Sequence, residues 1–269
     1  MRILLSNDDG ILAPGLIALR QAVADMGKVT VVAPDSPQSA AGHSITLQHP
    51  LTVQRVHLPT GFPPAPAEGR PGGEFWGVSV DGRPADCVRL AIRNLMPARP
   101  DLVLSGINAG ANVGINVFYS GTVAAAAEAA MCGIPAVAFS AAMTTGELDL
   151  PRIARLARWA LDRLLRAGLA GGDLINVNIP ALGPSLPRGV RVVPQSTAGL
   201  DDVYHRTVHA DGRESFRLAD EYDFTGPEQE TDVAALAEGF ITVTPLHVDM
   251  TRRERLADIA AGDWGRPPP

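Results

Sequence analysis

The sequence predicts an α/β fold in which a mostly parallel sheet is flanked by helices and followed by a C-terminal hairpin and helix extension. Two observations carry this expectation. From the N-terminus to about residue 180, short apolar runs alternate with segments of helical spacing, and the runs are continuously apolar, as strands buried on both faces require. Beyond that point the alternation stops and turn-separated strand segments take over. We therefore expect an α/β core over residues 1–180 carrying the functional site. Residues 181–269 form an extension with a hairpin arm and a final strand and helix returning to the core.

The elements follow in order. Arg2 to Ser6 is an apolar run ended by Asn7-Asp8-Asp9-Gly10, and after Pro14 the residues Leu16, Leu19, Val23 and Met26 keep helical spacing up to Gly27. Lys28 to Ala33 is a β-branched run stopped by Pro34, so the first forty residues read as a βαβ unit with parallel strands. Residues 34–50 form a polar loop, Leu51 to Val56 a strand, and the Pro/Gly-rich stretch from Leu58 to Gly73 a surface excursion. Glu74 to Val80 is a strand and Pro84 to Met96 a helix with proline in its first turn. Asp101 to Ser105 is a central strand, Gly106 to Tyr119 a loop, and Gly121 to Met131 an alanine-rich helix ended by Gly133. Ile134 to Ser140 is a buried strand, and Pro151 to Ala167 a helix with Ile153, Leu156, Ala160 and Leu164 on one side. Leu174 to Ile179 and Val190 to Gln195 are strands, and Asp211-Gly212 turns a hairpin between Tyr204–Ala210 and Glu214–Leu218. Thr231 to Ala237 is a short helix, Ile241 to Val243 the final strand, and Pro267 to Pro269 a frayed tail.

Composition narrows the function. Net charge is −6, from 23 basic and 29 acidic side chains, so no global positive field is available for a nucleic-acid duplex. An anionic substrate would need local positive charge, from backbone N–H groups or a bound cation. Cys87 and Cys132 are far apart and outside any C-x-x-C pair, which argues against a disulfide framework or thiolate zinc site. The N-terminus lacks the pattern of a secretory signal, and no stretch approaches the ~20 apolar residues of a membrane helix. We expect a cytoplasmic protein with a small-molecule partner and no membrane association.

In open α/β sheets ligands collect beyond the carboxyl ends of the strands. Three such places carry chemistry here: Asn7-Asp8-Asp9-Gly10, Ser36 to Ser44, and Ser105-Gly106-Ile107-Asn108. Asp8 and Asp9 are adjacent carboxylates whose mutual repulsion a cation relieves, although Asn-Asp-Asp-Gly alone also reads as a turn. Ser39 and Asn108 are uncharged oxygen donors of the kind that complete a magnesium or manganese site beside carboxylates. The loop Gly106 to Gly114 places glycine at every fourth position and leads to Tyr119-Ser120-Gly121-Thr122 at a helix start. Such a start offers exposed N–H groups and hydroxyls to a phosphate; a helix N-cap without ligand explains one hydroxyl but not the glycines.

Other chemistries lack their patterns. Histidines 43, 49, 57, 205, 209 and 247 show no zinc-protease spacing, and we read His43, close to Ser39, as a solvated loop side chain in preference to a substrate contact. Ser105-Gly106 lacks the G-x-S-x-G elbow, and neither a dinucleotide-binding nor a P-loop glycine pattern is present.

Together these segments resemble the SurE family, the stationary-phase survival proteins that act as metal-dependent nucleotidases. The resemblance spans nearly the whole chain. It rests on Ser6-Asn-Asp-Asp-Gly10, Ala33-Pro-Asp35 with Ser39, Pro84-Ala-Asp-Cys87, Ser105-Gly-Ile-Asn-Ala-Gly-Ala-Asn112, Tyr119-Ser-Gly-Thr122 and Thr244-Pro-Leu246. It implies a Rossmann-like sheet, with Asp8, Asp9, Ser39 and Asn108 as ligands of one divalent ion per subunit, magnesium or manganese. It further implies that Asn112 with Ser120, Gly121 and Thr122 surrounds a phosphate. The implied substrates are nucleoside 5′- and 3′-monophosphates, with short polyphosphate as an additional candidate. The implied assembly is a homodimer or homotetramer that exchanges C-terminal segments. Gly82-Arg83 replaces the family's usual Gly-Thr, Ile115 and Asn116 replace acidic residues, and 58–73 is longer than usual; these departures bear on substrate preference.

The expected reaction is in-line attack of water on a phosphomonoester, with Asp8 or Asp9 orienting the water and the sequence not choosing between them. Two rivals remain at this level. One is an aspartyl-phosphate enzyme, whose usual D-x-D is absent because Gly10 stands two places after Asp8. The other is a nucleotide-binding sensor on the same fold, without turnover.

Overall fold

The computed structural model describes residues 1–58, 74–143, 148–183, 187–199, 203–219, 224, 228–262 and 264. The expected surface excursion, apart from Leu58, and the Pro267–Pro269 tail lie outside them. The strands are β1 (Arg2–Ser6), β2 (Lys28–Pro34), β3 (Val53–Leu58), β4 (Glu74–Val80), β5 (Leu102–Ala109), β6 (Ala136–Ala141), β7 (Leu174–Ile179), β8 (Val190–Val192), β9 (Tyr204–Val208), β10 (Glu214–Leu218) and β11 (Ile241–Leu246). Among the described residues nine of them form one sheet in the order β3-β4-β2-β1-β5-β6-β7-β11-β8, and β9 with β10 forms the hairpin. The pairs from β4 through β2, β1, β5 and β6 to β7 are parallel, as the continuously apolar runs require. β3 is antiparallel to β4, and β11 antiparallel to β7.

Two helical layers cover the sheet. Ile3 and Leu5 of β1 face one side, where α1 (Pro14–Val23) packs on α4 (Leu150–Ala167); Leu4 faces the other, where α2 (Pro84–Leu90) packs on α3 (Gly121–Met131). All three side chains are fully buried. Burial of each such aliphatic side chain contributes about 1.5–3 kcal/mol, which fixes β1 as an interior strand beside β5, the middle strand of the nine. No helix among the described residues is long and apolar enough to cross a membrane.

Several elements depart from the expected boundaries. The helix expected over Pro84–Met96 is α only to Leu90 and continues as a π turn through Leu95. The last strand runs on to Leu246, and the strand expected to reach Gln195 ends at Val192. α4 buries Ile153, Ala154, Ala157, Ala160 and Leu161, while Leu156 and Leu164 flank the contact. The small alanines let the helix axis approach the sheet, so the buried stripe centres on them rather than on the leucines. A short α5 (Asp232–Ala237) falls where expected, but the 3-10 turn Arg253–Arg255 and α6 (Leu256–Ala260) were not anticipated. Every residue of α6 is exposed, including Leu256 and Ile259.

The departure with most bearing on function is in β5. The strand expected to end at Ser105 resumes beyond an irregularity, pairing Asn108 with Ser140 and Ala109 with Ala141 of β6. Asn108 therefore stands on sheet backbone instead of in the following loop. Gly106 makes this possible: its φ is +120°, and a Cβ there would lie 2.2 Å from the Phe139 carbonyl oxygen.

Candidate active site

The chain leaves β1 at Asn7-Asp8-Asp9. Asn7 Nδ2 donates to the Gly10 carbonyl at 2.9 Å, closing the turn, and Gly10 takes a φ of +103°. Asp8 is buried; its carbonyl accepts from the Gln38 N–H at 2.7 Å, tying the loop after β2 to the loop after β1. The Thr122 hydroxyl donates to Asp8 Oδ1. Burial pushes the Asp8 carboxyl above the usual carboxylate range, while the Thr122 hydroxyl and the backbone N–H groups of Asp8, Thr122 and Gly121 hold it back. A Cβ at Gly121 would lie 2.7 Å from the Asp8 Cβ, so only glycine lets the first turn of α3 come this close. Asp9 is only half-buried, and burial, then the neighbouring Asp8 charge, push it up to about 6 against one backbone N–H from Ala109.

Asp8, Asp9, Ser39 and Asn108 all line one cavity of about 490 Å³, which Asn112 and Ser120 also line. Asn108 Nδ2 donates to the Gly110 carbonyl at 2.8 Å, which orients the amide so that Oδ1 remains as its acceptor. Ser120 caps α3, accepting from the Val123 N–H at 3.1 Å and keeping its own proton to donate. Gly121 and Thr122, expected beside a phosphate, pack against Asp8, and Thr122 is fully buried. His43, read from the sequence as a solvated loop residue, is exposed, with Nε2 3.1 Å from the Glu128 carboxylate; Arg89 Nε holds the other oxygen of Glu128 at 2.9 Å.

Sequence reasoning missed what stands beneath the cavity. Asn178 Oδ1 accepts from the Asn112 N–H at 2.8 Å, the amides of Asn176 and Asn178 donate to the Asn112 carbonyl, and Asn112 Nδ2 lies 2.8 Å from Ser140 Oγ. The signal was present as two asparagines at alternate positions of an otherwise apolar strand, Leu-Ile-Asn-Val-Asn-Ile. Asp232 does the same for Gly114 and Ser196, accepting an N–H from each.

Among the described residues no three His, Cys, Asp or Glu side chains gather into a cluster. A hard-cation site here must therefore combine two carboxylates with neutral oxygens, and the Asp8-Asp9 pair with Ser39 and Asn108 is such a set. Two neighbouring carboxyls raised by burial, one also by the other's charge, form a pair that a divalent cation stabilises.

A family model described as Survival protein SurE matches residues 3–202. The chain belongs to the SurE family. It is 43% identical over 256 residues to a protein of Symbiobacterium thermophilum named 5'-nucleotidase SurE, covering 94% of this chain and 95% of that one. A protein of the same name from Rhodopirellula baltica is 40% identical over 269 residues, the full length of both. The crystal structure of the SurE protein from Aquifex aeolicus superposes with a TM-score of 0.79 at 35% identity, over 96% of this chain and 98% of that one. The SurE membership and the mostly parallel sheet agree with the fold expected from the sequence.

Proposed function

We propose that this SurE chain is a divalent-metal-dependent phosphomonoesterase that hydrolyses nucleoside 5′- and 3′-monophosphates to nucleoside and phosphate. The observation that carries this reading is the convergence of Asp8, Asp9, Ser39 and Asn108 on one cavity with Asn112 and Ser120, in a chain 43% identical to one named 5'-nucleotidase SurE. One magnesium or manganese ion per subunit, held by those first four residues, would polarise a phosphate oxygen and lower the pKa of a coordinated water.

The protein's own groups divide the rest of the work. Ser120 Oγ donates to a phosphate oxygen while its lone pair caps α3. Asn112 presents its amide from the same wall; the Ser140 hydroxyl beside it both accepts and donates, so the amide can turn its N–H groups to the phosphate. Asp8 is engaged by Thr122 and the start of α3, whereas Asp9 keeps an accessible carboxylate with one backbone donor. Asp9 is thus the better placed of the two to orient the attacking water toward phosphorus, opposite the leaving alkoxide.

The reading extends to short polyphosphate as a secondary substrate, to a cytoplasmic location, and to a homodimer or homotetramer. The oligomer is supported by Val203, Val208 and Phe216, apolar side chains of the hairpin region that are 49%, 61% and 59% exposed. The deciding assay is phosphate release from a panel of nucleoside monophosphates with magnesium, with manganese, and with chelator. Metal-dependent release is expected; nucleotide binding without release in any metal would leave a sensor, and a trapped phosphoaspartate would replace water attack by a covalent route.

A further inference from the structure

Beyond Tyr119, Asn116 and three alanines, two hairpin residues of the cavity wall serve neither the carboxylates nor the anion side. Tyr204 opens β9 and Leu218 closes β10, and the two pair directly across the hairpin, so their side chains share one face. Alternation places Arg206 and Val208 on that face with Phe216 and Glu214, and the Arg206–Glu214 ion pair is made there. The other face carries His205, Thr207, Ser215 and Arg217. The first face thus carries the large apolar side chains of the hairpin around one ion pair, and its base is what borders the cavity. Tyr204 remains 58% exposed and Leu218 39%.

The cavity is divided accordingly. Asp8, Asp9, Ser39, Asn108, Asn112 and Ser120 make its polar part with Tyr119 just before α3, while Tyr204 and Leu218 of the hairpin contribute an aromatic and an aliphatic surface with no charge. A phosphomonoester anchored by its phosphate at the polar part projects its ester group toward the remaining wall. A flat, uncharged heteroaromatic ring is the group whose transfer from water onto a tyrosine face is favourable, and stacking of this kind tolerates any base because every base has a π-face.

We propose that Tyr204, backed by Leu218, is the residue on which the nucleobase of the substrate stacks, making the hairpin a specificity element of the active site. This rests on the nucleotidase reading above. It predicts a preference for purine over pyrimidine monophosphates, set by ring area instead of hydrogen-bonded readout.

The test compares the full-length protein with Y204A and Y204F on a purine nucleoside monophosphate, a pyrimidine nucleoside monophosphate and ribose 5-phosphate, which keeps the phosphate and sugar and lacks the base. Y204A should raise KM for the purine substrate on the order of tenfold, and for the pyrimidine substrate by less, at nearly constant kcat; one base–aromatic stack supplies a factor of this size. Ribose 5-phosphate kinetics should stay within about twofold, since that substrate makes no stack. Y204F keeps the ring and should behave as the parent. Equal losses on all three substrates, no loss on any, or damage by Y204F equal to that of Y204A would overturn the assignment. Absence of phosphate release by the parent protein from every substrate would instead overturn the nucleotidase reading itself.

Discussion

Asp8 and Asp9 are neighbours in the chain with unequal surroundings, and the difference sets the pH behaviour of the site. The Asp9 carboxyl, pushed up to about 6, holds a proton in the folded chain at pH values where the unfolded chain, near ~3.9, has released it. The sign follows: that proton stabilises the cation-free fold below about pH 4, and this contribution is lost as pH rises through 6. A divalent cation reverses the trend, because it binds the carboxylate form. Adding manganese should therefore raise the thermal midpoint more at pH 7.5 than at pH 5, and kcat/KM should climb through pH 6 to a plateau; equal stabilisation at both pH values would contradict the assignment. Thr122→Val keeps the side-chain shape and removes the donor to Asp8 at a fully buried position. It should lower manganese affinity by roughly tenfold or more, in line with the ~1–3 kcal/mol of a lost hydrogen bond to a buried charged group, as read by titration calorimetry. The carboxylates were legible in the sequence because they follow an apolar strand. The contact of Thr122 and Gly121 with Asp8 was not, since it spans more than a hundred residues and no local pattern encodes it.

At the scale of elements, β7 and the loop that carries Asn112 depend on each other. Asn176 and Asn178 are fully buried in a strand whose other side chains are apolar, and both use their amides to hold the Asn112 backbone. Asn178→Ala strands the Asn112 N–H without that acceptor. We expect a stability loss of about 1–3 kcal/mol, measured as a lower urea midpoint, together with a raised KM. A control lies in α4: Leu161→Ala should cost about 2–5 kcal/mol while leaving KM of the remaining folded protein unchanged, because Leu161 packs under the sheet face away from the cavity. Strand identity and order of appearance were readable from apolar runs. The extension of β5 past Gly106 was not, because glycine and asparagine are loop formers and only the facing backbone of β6 reveals the pairing. Glu128 shows the same limit: it sits in an alanine run and acquires meaning only when His43 and Arg89 fold onto it.

The whole molecule is arranged around the carboxyl ends of β2, β1 and β5, three adjacent strands whose following segments meet at the cavity. The C-terminal part, expected as an extension whose final strand returns to the core, contributes β8 and β11 to the same sheet and sends the hairpin base to the cavity wall. Farther along that hairpin, Val208 and Phe216 remain exposed and fit a contact with a second copy. If the proposed oligomer forms through this face, Phe216→Ser lowers its sedimentation coefficient without abolishing manganese binding; an unchanged coefficient would remove the hairpin from the proposed interface. The central claim is that four oxygen-bearing side chains, spread over a hundred residues of sequence, share one hard cation. Titration of the full-length protein with manganese, followed by electron paramagnetic resonance of the free ion, tests it most directly. The account predicts one ion bound per chain, with affinity falling at least tenfold in each of Asp8→Asn, Asp9→Asn and Asn108→Ala, on the scale of one lost charge-assisted contact. Undiminished binding in all three variants would contradict it.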